Sequence, residues 1–171
     1  MKHLYFIRHG QSEMNKAGLL AGSTETPLSS EGRNQAKLAG TVAQSLKIDL
    51  IISSPMSRTT ETAQIVAAEI GYPLESIVYD DRMVERDFGS FEGTQWSVGM
   101  DLSGAVGLET IEHFHSRVAA ALADAKARPE HTVLLVAHGA VYRMLRELTE
   151  PDYTFINKTA ASNNAEILKL L

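Results

Sequence analysis

Two histidines in this chain each close a short apolar run and are each followed by glycine. Arg8-His9-Gly10 follows Leu4-Tyr5-Phe6-Ile7, and His138-Gly139 follows Val133 to Ala137. A third apolar run, Leu50-Ile51-Ile52, ends in Ser53-Ser54-Pro55, with Arg58 just beyond. Neutral imidazole is a usable nucleophile near neutral pH and needs no metal. Guanidinium presents a planar fork of donors that matches phosphate oxygens. If the three runs are strands of one sheet, their carboxyl ends bring Arg8, His9, Arg58 and His138 to one rim, where open α/β sheets bind ligands. Two permanent cations and two imidazoles there make an anion site, and the glycines let backbone approach the ligand closely. Any one of these residues alone is most often a packed histidine or a surface charge. The convergence of four is what points to an oxyanion.

The elements that must position them can be read from periodicity. Leu4 to Ile7 is a buried strand. Ser29 or Ser30 caps a helix with Ala36, Ala39, Ala43 and Leu46 on one face. Leu50 to Ile52 is a second strand, and a helix from Ser57 to Ile70 is closed by Gly71 and Pro73. Ile77 to Tyr79 is a short strand. Ile111, Phe114, Val118, Ala121, Leu122 and Ala125 keep the helical period from about Thr110 to Lys126. Val133 to Ala137 is a central parallel strand, followed by a short helix through Met144, Leu145 and Leu148 and a last strand from Ala165 to Leu170. Strand alternating with helix implies a three-layer α/β sandwich with a mostly parallel central sheet.

Composition narrows the function classes. Sixteen basic and 21 acidic residues give a net charge of −5, which argues against a general nucleic-acid or anionic-membrane binder. The absence of cysteine excludes a disulfide framework, a thiolate zinc site and a cysteine nucleophile. No apolar stretch is long enough for a signal peptide or a membrane span, so a cytoplasmic location is expected. With no repeat and no linker, 171 residues read as one domain.

These residues carry a resemblance. Arg8-His9-Gly10-Gln11-Ser12-Glu13-Met14-Asn15 resembles the RHG(E/Q)SxxN signature of the histidine phosphatase superfamily, the phosphoglycerate-mutase-like fold. Four further blocks are similar to that family's segments and follow in the same order: Pro27 to Ala36, Ser53 to Ala63, Val84 to Gly93 and Leu134 to Gly139. The resemblance implies phosphoryl transfer through a covalent phosphohistidine, with no metal and no cofactor. His9 is the expected nucleophile. Arg8, Arg58 and His138 are expected to neutralise the phosphoryl oxygens, His138 acting protonated or as a hydrogen-bond donor. Asn15 and the Gly139 backbone N–H are expected to add donors. Glu85 matches the family's acid/base position; the bland alternative is a surface pair with Arg86 or Arg82.

The same fold hosts phosphatases and mutases. A mutase holds a small anionic acid through extra basic residues after the glutamate block. Here the stretch from Asp87 to Ser116 has no lysine or arginine but five carboxylates, Asp87, Glu92, Asp101, Glu109 and Glu112. It is expected to repel a carboxylate-bearing substrate, and its Gly- and Ser-rich part, around 94–108, to form only a small lid that leaves water able to attack the intermediate. A phosphatase acting on a phosphorylated small molecule or a phosphoprotein is therefore expected. A phosphoglycerate mutase-type phosphotransferase and a non-catalytic phosphate-recognition module are the rivals. Trp96 either floors the pocket or packs, Asn163 and Asn164 read as structural, and His113 and His115 make a poor metal pair.

Overall fold

The computed structural model describes residues 2–97, 99–155 and 162–171. Five strands form one sheet in the order β3-β2-β4-β1-β5: β1 (His3–Arg8), β2 (Leu50–Ser53), β3 (Val78–Tyr79), β4 (Thr132–Ala137) and β5 (Ile167–Lys169). β4 pairs in parallel with β1 on one side and β2 on the other, β2 pairs in parallel with β3, and β5 is antiparallel on the β1 edge. The three runs that end in chemistry-bearing residues are thus three adjacent strands. Arg8 lies opposite Ala137 and Ser53 opposite Val136. The ladder continues one step further, with His9 N–H donating to Ala137 O (3.0 Å) and Ser54 N–H to Val136 O (2.9 Å). Their ends are therefore level.

All six residues of β4 are buried, so helices must cover both faces of the sheet. On one face Leu4, Phe6, Val133 and Leu135 pack against Phe114, Val118 and Leu122 of α4 (Ile111–Ala127) and Val141, Met144 and Leu145 of α5 (Gly139–Thr149). On the other, Ile7, Ile51, Leu134 and Val136 meet Ala39 and Ala43 of α2 (Ser30–Ala43) and Ala63, Val66 and Ala67 of α3 (Ser57–Ile70). The small residues on α2 and α3 let these helices approach closely: a Cβ on Gly40 would lie 2.5 Å from Glu69 Cβ. This is the expected three-layer architecture.

Local differences from the sequence reading have local causes. A one-turn helix α1 (Glu13–Lys16) follows the first strand, closed by a reciprocal cap between Ser12 and Asn15. α2 stops at Ala43 and tightens into a 3₁₀ turn over Gln44–Leu46, so Leu46 does not continue the helical face. α3 has no side-chain cap from Met56; instead the Glu25 carboxylate accepts the Ser57 N–H at 3.0 Å. Among the described residues, no helix is long and apolar enough to cross a membrane.

The loop after β1 is pressed against the start of α2. A Cβ on Gly10 would stand 2.3 Å from Gly32 O, and one on Gly32 would stand 2.1 Å from Gln11 O. Both contacts are with backbone, which cannot rotate away. Gly32→Ala is expected to destabilise the protein by about 1–3 kcal/mol through overpacking, and to lower turnover because relief requires moving the His9 loop. Thermal unfolding and steady-state kinetics on the same variant check both effects.

Candidate active site

The carboxyl ends of β1, β4 and β2 border a cavity of about 320 Å³, at the small end of the ~300–1,000 Å³ typical of ligand clefts. Six of the seven expected site residues line it: Arg8, His9, Asn15, Arg58, Glu85 and Gly139. The seventh, His138, is fully buried beside His9, with ring centroids 5.2 Å apart at an edge-on angle of 61°.

His9 is fixed at both ring nitrogens. Its Nδ1 lies 2.7 Å from Gly10 O, a carbonyl, so Nδ1 carries the hydrogen and Nε2 is left with a lone pair. Arg58 Nε donates to that Nε2 at 3.3 Å. Burial, then the charges of Arg58 and Arg8, hold the imidazole pKa well below its ordinary value; the bond to Gly10 O only partly opposes them. His9 is therefore uncharged at neutral pH. Gly10 N–H donates to Thr62 Oγ1 (3.1 Å), whose hydroxyl donates to Arg58 O (2.7 Å), so the His9 loop and the start of α3 are one hydrogen-bonded unit.

Arg58 is 1% exposed. Its two terminal nitrogens donate to Thr24 O (3.0 Å) and Gly22 O (2.7 Å). Burial lowers its pKa, with Glu85, Glu25 and Glu92 opposing. The loop that supplies these carbonyls is itself held by Glu92, which accepts from Ser23 N–H (2.7 Å), Ser23 Oγ (3.0 Å), Phe88 N–H (3.0 Å) and Thr24 Oγ1. Burial works to raise the Glu92 pKa, but the bonds from Thr24, Ser23 and Phe88 outweigh it and leave it below the ordinary value. Arg8 donates to Ser162 O at 3.0 Å, while its Nε is buried with no partner among the described residues.

Glu85 does not pair with Arg86 or Arg82. Its two oxygens accept the backbone N–H groups of Arg86 and Ala140, each at 3.0 Å. Arg82 binds Asp80 and Asp124, and Arg86 donates to Glu109 O. Beneath Glu85, Arg117 donates to the carbonyls of Arg82, Val84 and Glu85 while gripping Glu109. The carboxyl group is thus set on the cavity wall by backbone on both sides.

His138 Nε2 lies 2.9 Å from Ser54 Oγ, and its Nδ1 is buried without a partner among the described residues. Burial, then Arg58, His9 and Arg8, push its pKa well below the ordinary value. Of the two forms expected for His138, a protonated cation and a neutral donor, these surroundings favour the neutral one.

Several other residues line the cavity, among them Trp96, Arg143, Asn163 and Asn164. Asn164 Nδ2 donates to His9 O (2.9 Å) and approaches Asn15 Oδ1 (3.5 Å), which also accepts from Ser12 N–H (3.2 Å). That leaves the Asn15 amide NH₂ as the donor it can offer the cavity. Asn163 and Asn164 line the site as well as shaping its turn, and Trp96 lines it rather than packing away. Arg143 lines it too, and the signal was available: it stands four residues after Gly139, one turn along the same helix face.

The acidic stretch needs a correction. None of Asp87, Glu92, Asp101, Glu109 and Glu112 lines the cavity. Asp87 accepts from Gly89 N–H, Asp101 from Ser103, Glu109 from Arg117 and His113, and Glu92 holds the loop under Arg58. None of these carboxylates meets a bound ester directly, so the stretch presents no acidic wall against a carboxylate-bearing substrate. Of residues 94–108, only Trp96 reaches the cavity lining among those described. No three His, Asp or Glu side chains gather as a metal-binding group among the described residues.

The sequence matches the histidine phosphatase superfamily (branch 1) over residues 4–170. The chain belongs to that superfamily. Within it, similarity extends to proteins named for both activities. The uncharacterized phosphatase PhoE of Bacillus subtilis is 31% identical, covering 89% of this chain and 80% of its own. The probable phosphoglycerate mutase GpmB of Salmonella choleraesuis is 34% identical, covering 81% and 70%. An agropine synthesis reductase of Rhizobium rhizogenes is 34% identical over 98% of this chain, which spans only 39% of that longer protein. Among solved structures, YhfR of Bacillus stearothermophilus superposes with a TM-score of 0.85 at 25% identity, covering 99% of this chain and 90% of its own. Members of this histidine phosphatase superfamily are phosphatases or mutases, and the covalent phosphohistidine is general to it.

Burying two uncharged imidazoles in this member of the histidine phosphatase superfamily has a cost in acid. The native pKa of each lies below the unfolded value of about 6.5, so below that pH the unfolded chain binds more protons. Stability is complete above about pH 6.5 and falls as pH drops towards the native values, by up to about 1.4 kcal/mol per pH unit for each histidine. His138→Gln removes one titrating group, so urea unfolding between pH 7 and 5 is expected to show a shallower decline than in the wild type.

Proposed function

We propose that this protein is a metal-independent phosphatase that hydrolyses phosphomonoesters, on small molecules or on a phosphoprotein, through phosphohistidine at His9. One observation carries the reading: His9 is held uncharged, with hydrogen on Nδ1 and the Nε2 lone pair beside a buried guanidinium at the cavity. In the first step Nε2 bonds to phosphorus and the P–O bond to the leaving group breaks. The Arg58–Nε2 contact, long at 3.3 Å, gives way to phosphate oxygens. Arg8, Arg58, the Asn15 amide and the Gly139 N–H at the start of α5 offset charge on the oxygens of the transferring group. Gly10 O, accepting the Nδ1 hydrogen, stabilises positive charge on the phosphorylated ring. His138 donates from Nδ1 to the group carried by His9.

Glu85 gives its proton to the leaving oxygen, then takes one from the water that attacks phosphorus; phosphate departs and His9 returns to its neutral form. The whole of 1–171 acts as one catalytic domain, and 94–108 as a small lid. Hydrolysis is favoured over mutase transfer by that lid, since among its described residues only Trp96 reaches the cavity, which leaves water access to the intermediate.

Aryl and alkyl phosphate hydrolysis by three proteins tests the assignment. His9→Ala is expected to lose about 10³-fold or more in turnover, and a chelator to leave the wild type unaffected. Glu85→Gln is expected to lose about 10²–10⁴-fold on an alkyl phosphate but much less on an aryl phosphate, whose oxyanion leaves unaided. Equal losses on both would reduce Glu85 to a shaping role. Efficient isomerisation of 3-phosphoglycerate with a bisphosphate primer would replace the phosphatase with a mutase.

A further inference from the structure

The cavity holds a cation that phosphoryl transfer at His9 does not use. Arg143 lines it from α5, and its Nε is buried with no partner among the described residues. No hydrogen bond or ion pair engages its guanidinium there. Glu147, one turn further along α5, is taken by the Phe155 N–H, and Glu85 by the N–H groups of Arg86 and Ala140. The sequence from 156 to 161, Ile-Asn-Lys-Thr-Ala-Ala, contains no acidic residue that could pair with it. The guanidinium lies 5.4 Å from the Phe155 ring centroid, so an aromatic face supports it.

Its electrostatic neighbours are also informative. Arg58 and Arg8 are the cations that act on His9, whereas Arg143 acts on Arg8 and Arg86. Arg143 is not among the charges that set the state of the His9 imidazole. The cavity is lined by three guanidiniums, those of Arg8, Arg58 and Arg143, and the phosphoryl-transfer step engages only the first two. A cavity of about 320 Å³ has room for a small organic group beyond the phosphate.

We propose that Arg143 is a second anion subsite, and that the preferred substrate is a phosphomonoester whose leaving group carries a carboxylate or a second phosphate. This rests on the phosphatase reading. It also reverses the expectation drawn from the acidic 87–116 stretch, since the deciding charge comes from α5 instead.

Three ring-matched probes test it: phenyl phosphate, 3-carboxyphenyl phosphate and 1,3-phenylene bisphosphate. Wild-type kcat/KM is expected to favour the two charged esters at least about tenfold, the energy of one charge-assisted contact. Which of them leads identifies carboxylate or phosphate as the second group. Arg143→Met, which keeps an apolar stem against Phe155, is expected to collapse the preference, and Arg143→Lys to retain most of it. Binding of the same three esters to His9→Ala and to His9→Ala/Arg143→Met, by calorimetry, reads the subsite without chemistry. A preference that survives Arg143→Met, its absence in the wild type, or an equal loss on all three probes overturns the subsite. If the wild type turns over none of the probes while His9→Ala binds the charged ones in an Arg143-dependent way, the phosphatase reading fails and the subsite stands.

Discussion

An imidazole buried between guanidiniums cannot afford a charge, and the site is organised around that constraint. His9 is nearly inaccessible, with Arg58 on Nε2 and Arg8 close by. Bringing fixed cations to a buried base would be costly if the base were also protonated, so desolvation and like charge push the same way. The result is an uncharged imidazole with a lone pair on Nε2 at neutral pH, the state the proposed nucleophile needs. The Gly10 carbonyl selects the tautomer, and the lone pair is left on the nitrogen that meets Arg58.

That arrangement requires Arg58 to be rigid, and its support is traceable outward. Gly22 and Thr24 carbonyls hold the guanidinium, Glu92 holds the loop that carries them, and Glu92 is anchored to the Phe88 backbone. On the opposite side of His9, Asn164 holds its carbonyl and Thr62 links the following glycine to α3. Arg117 and Ala140 fix Glu85 from two further elements. The sheet supplies the level strand ends, but the fine placement comes from carboxylates and amides in loops.

Much of this was legible in the residues themselves. Apolar runs of the right length mark β1, β2 and β4, and the polar residues that close them gather at one cavity. Pattern alone could not supply strand order, which makes the three neighbours; loop-closing contacts between distant segments decide that. The acidic stretch was misread because charge is visible in a sequence while orientation is not: Glu92 and Asp87 point into turns whose backbone N–H groups consume them. Asn164 was assigned to structure alone because its partner, the His9 carbonyl, is 155 residues away in the chain. Arg143 was overlooked although helical spacing from Gly139 places it on the lining face.

The central claim is that neutral His9 takes the phosphoryl group on Nε2. Rapid mixing with a phosphomonoester, quenching in base and mapping the adduct by mass spectrometry and phosphorus NMR tests it most directly. The account predicts a transient phosphoryl group on the peptide containing His9, attached at Nε2, that decays at the rate of turnover. Steady hydrolysis with no adduct at His9, or an adduct on Nδ1 or on another residue, would contradict it.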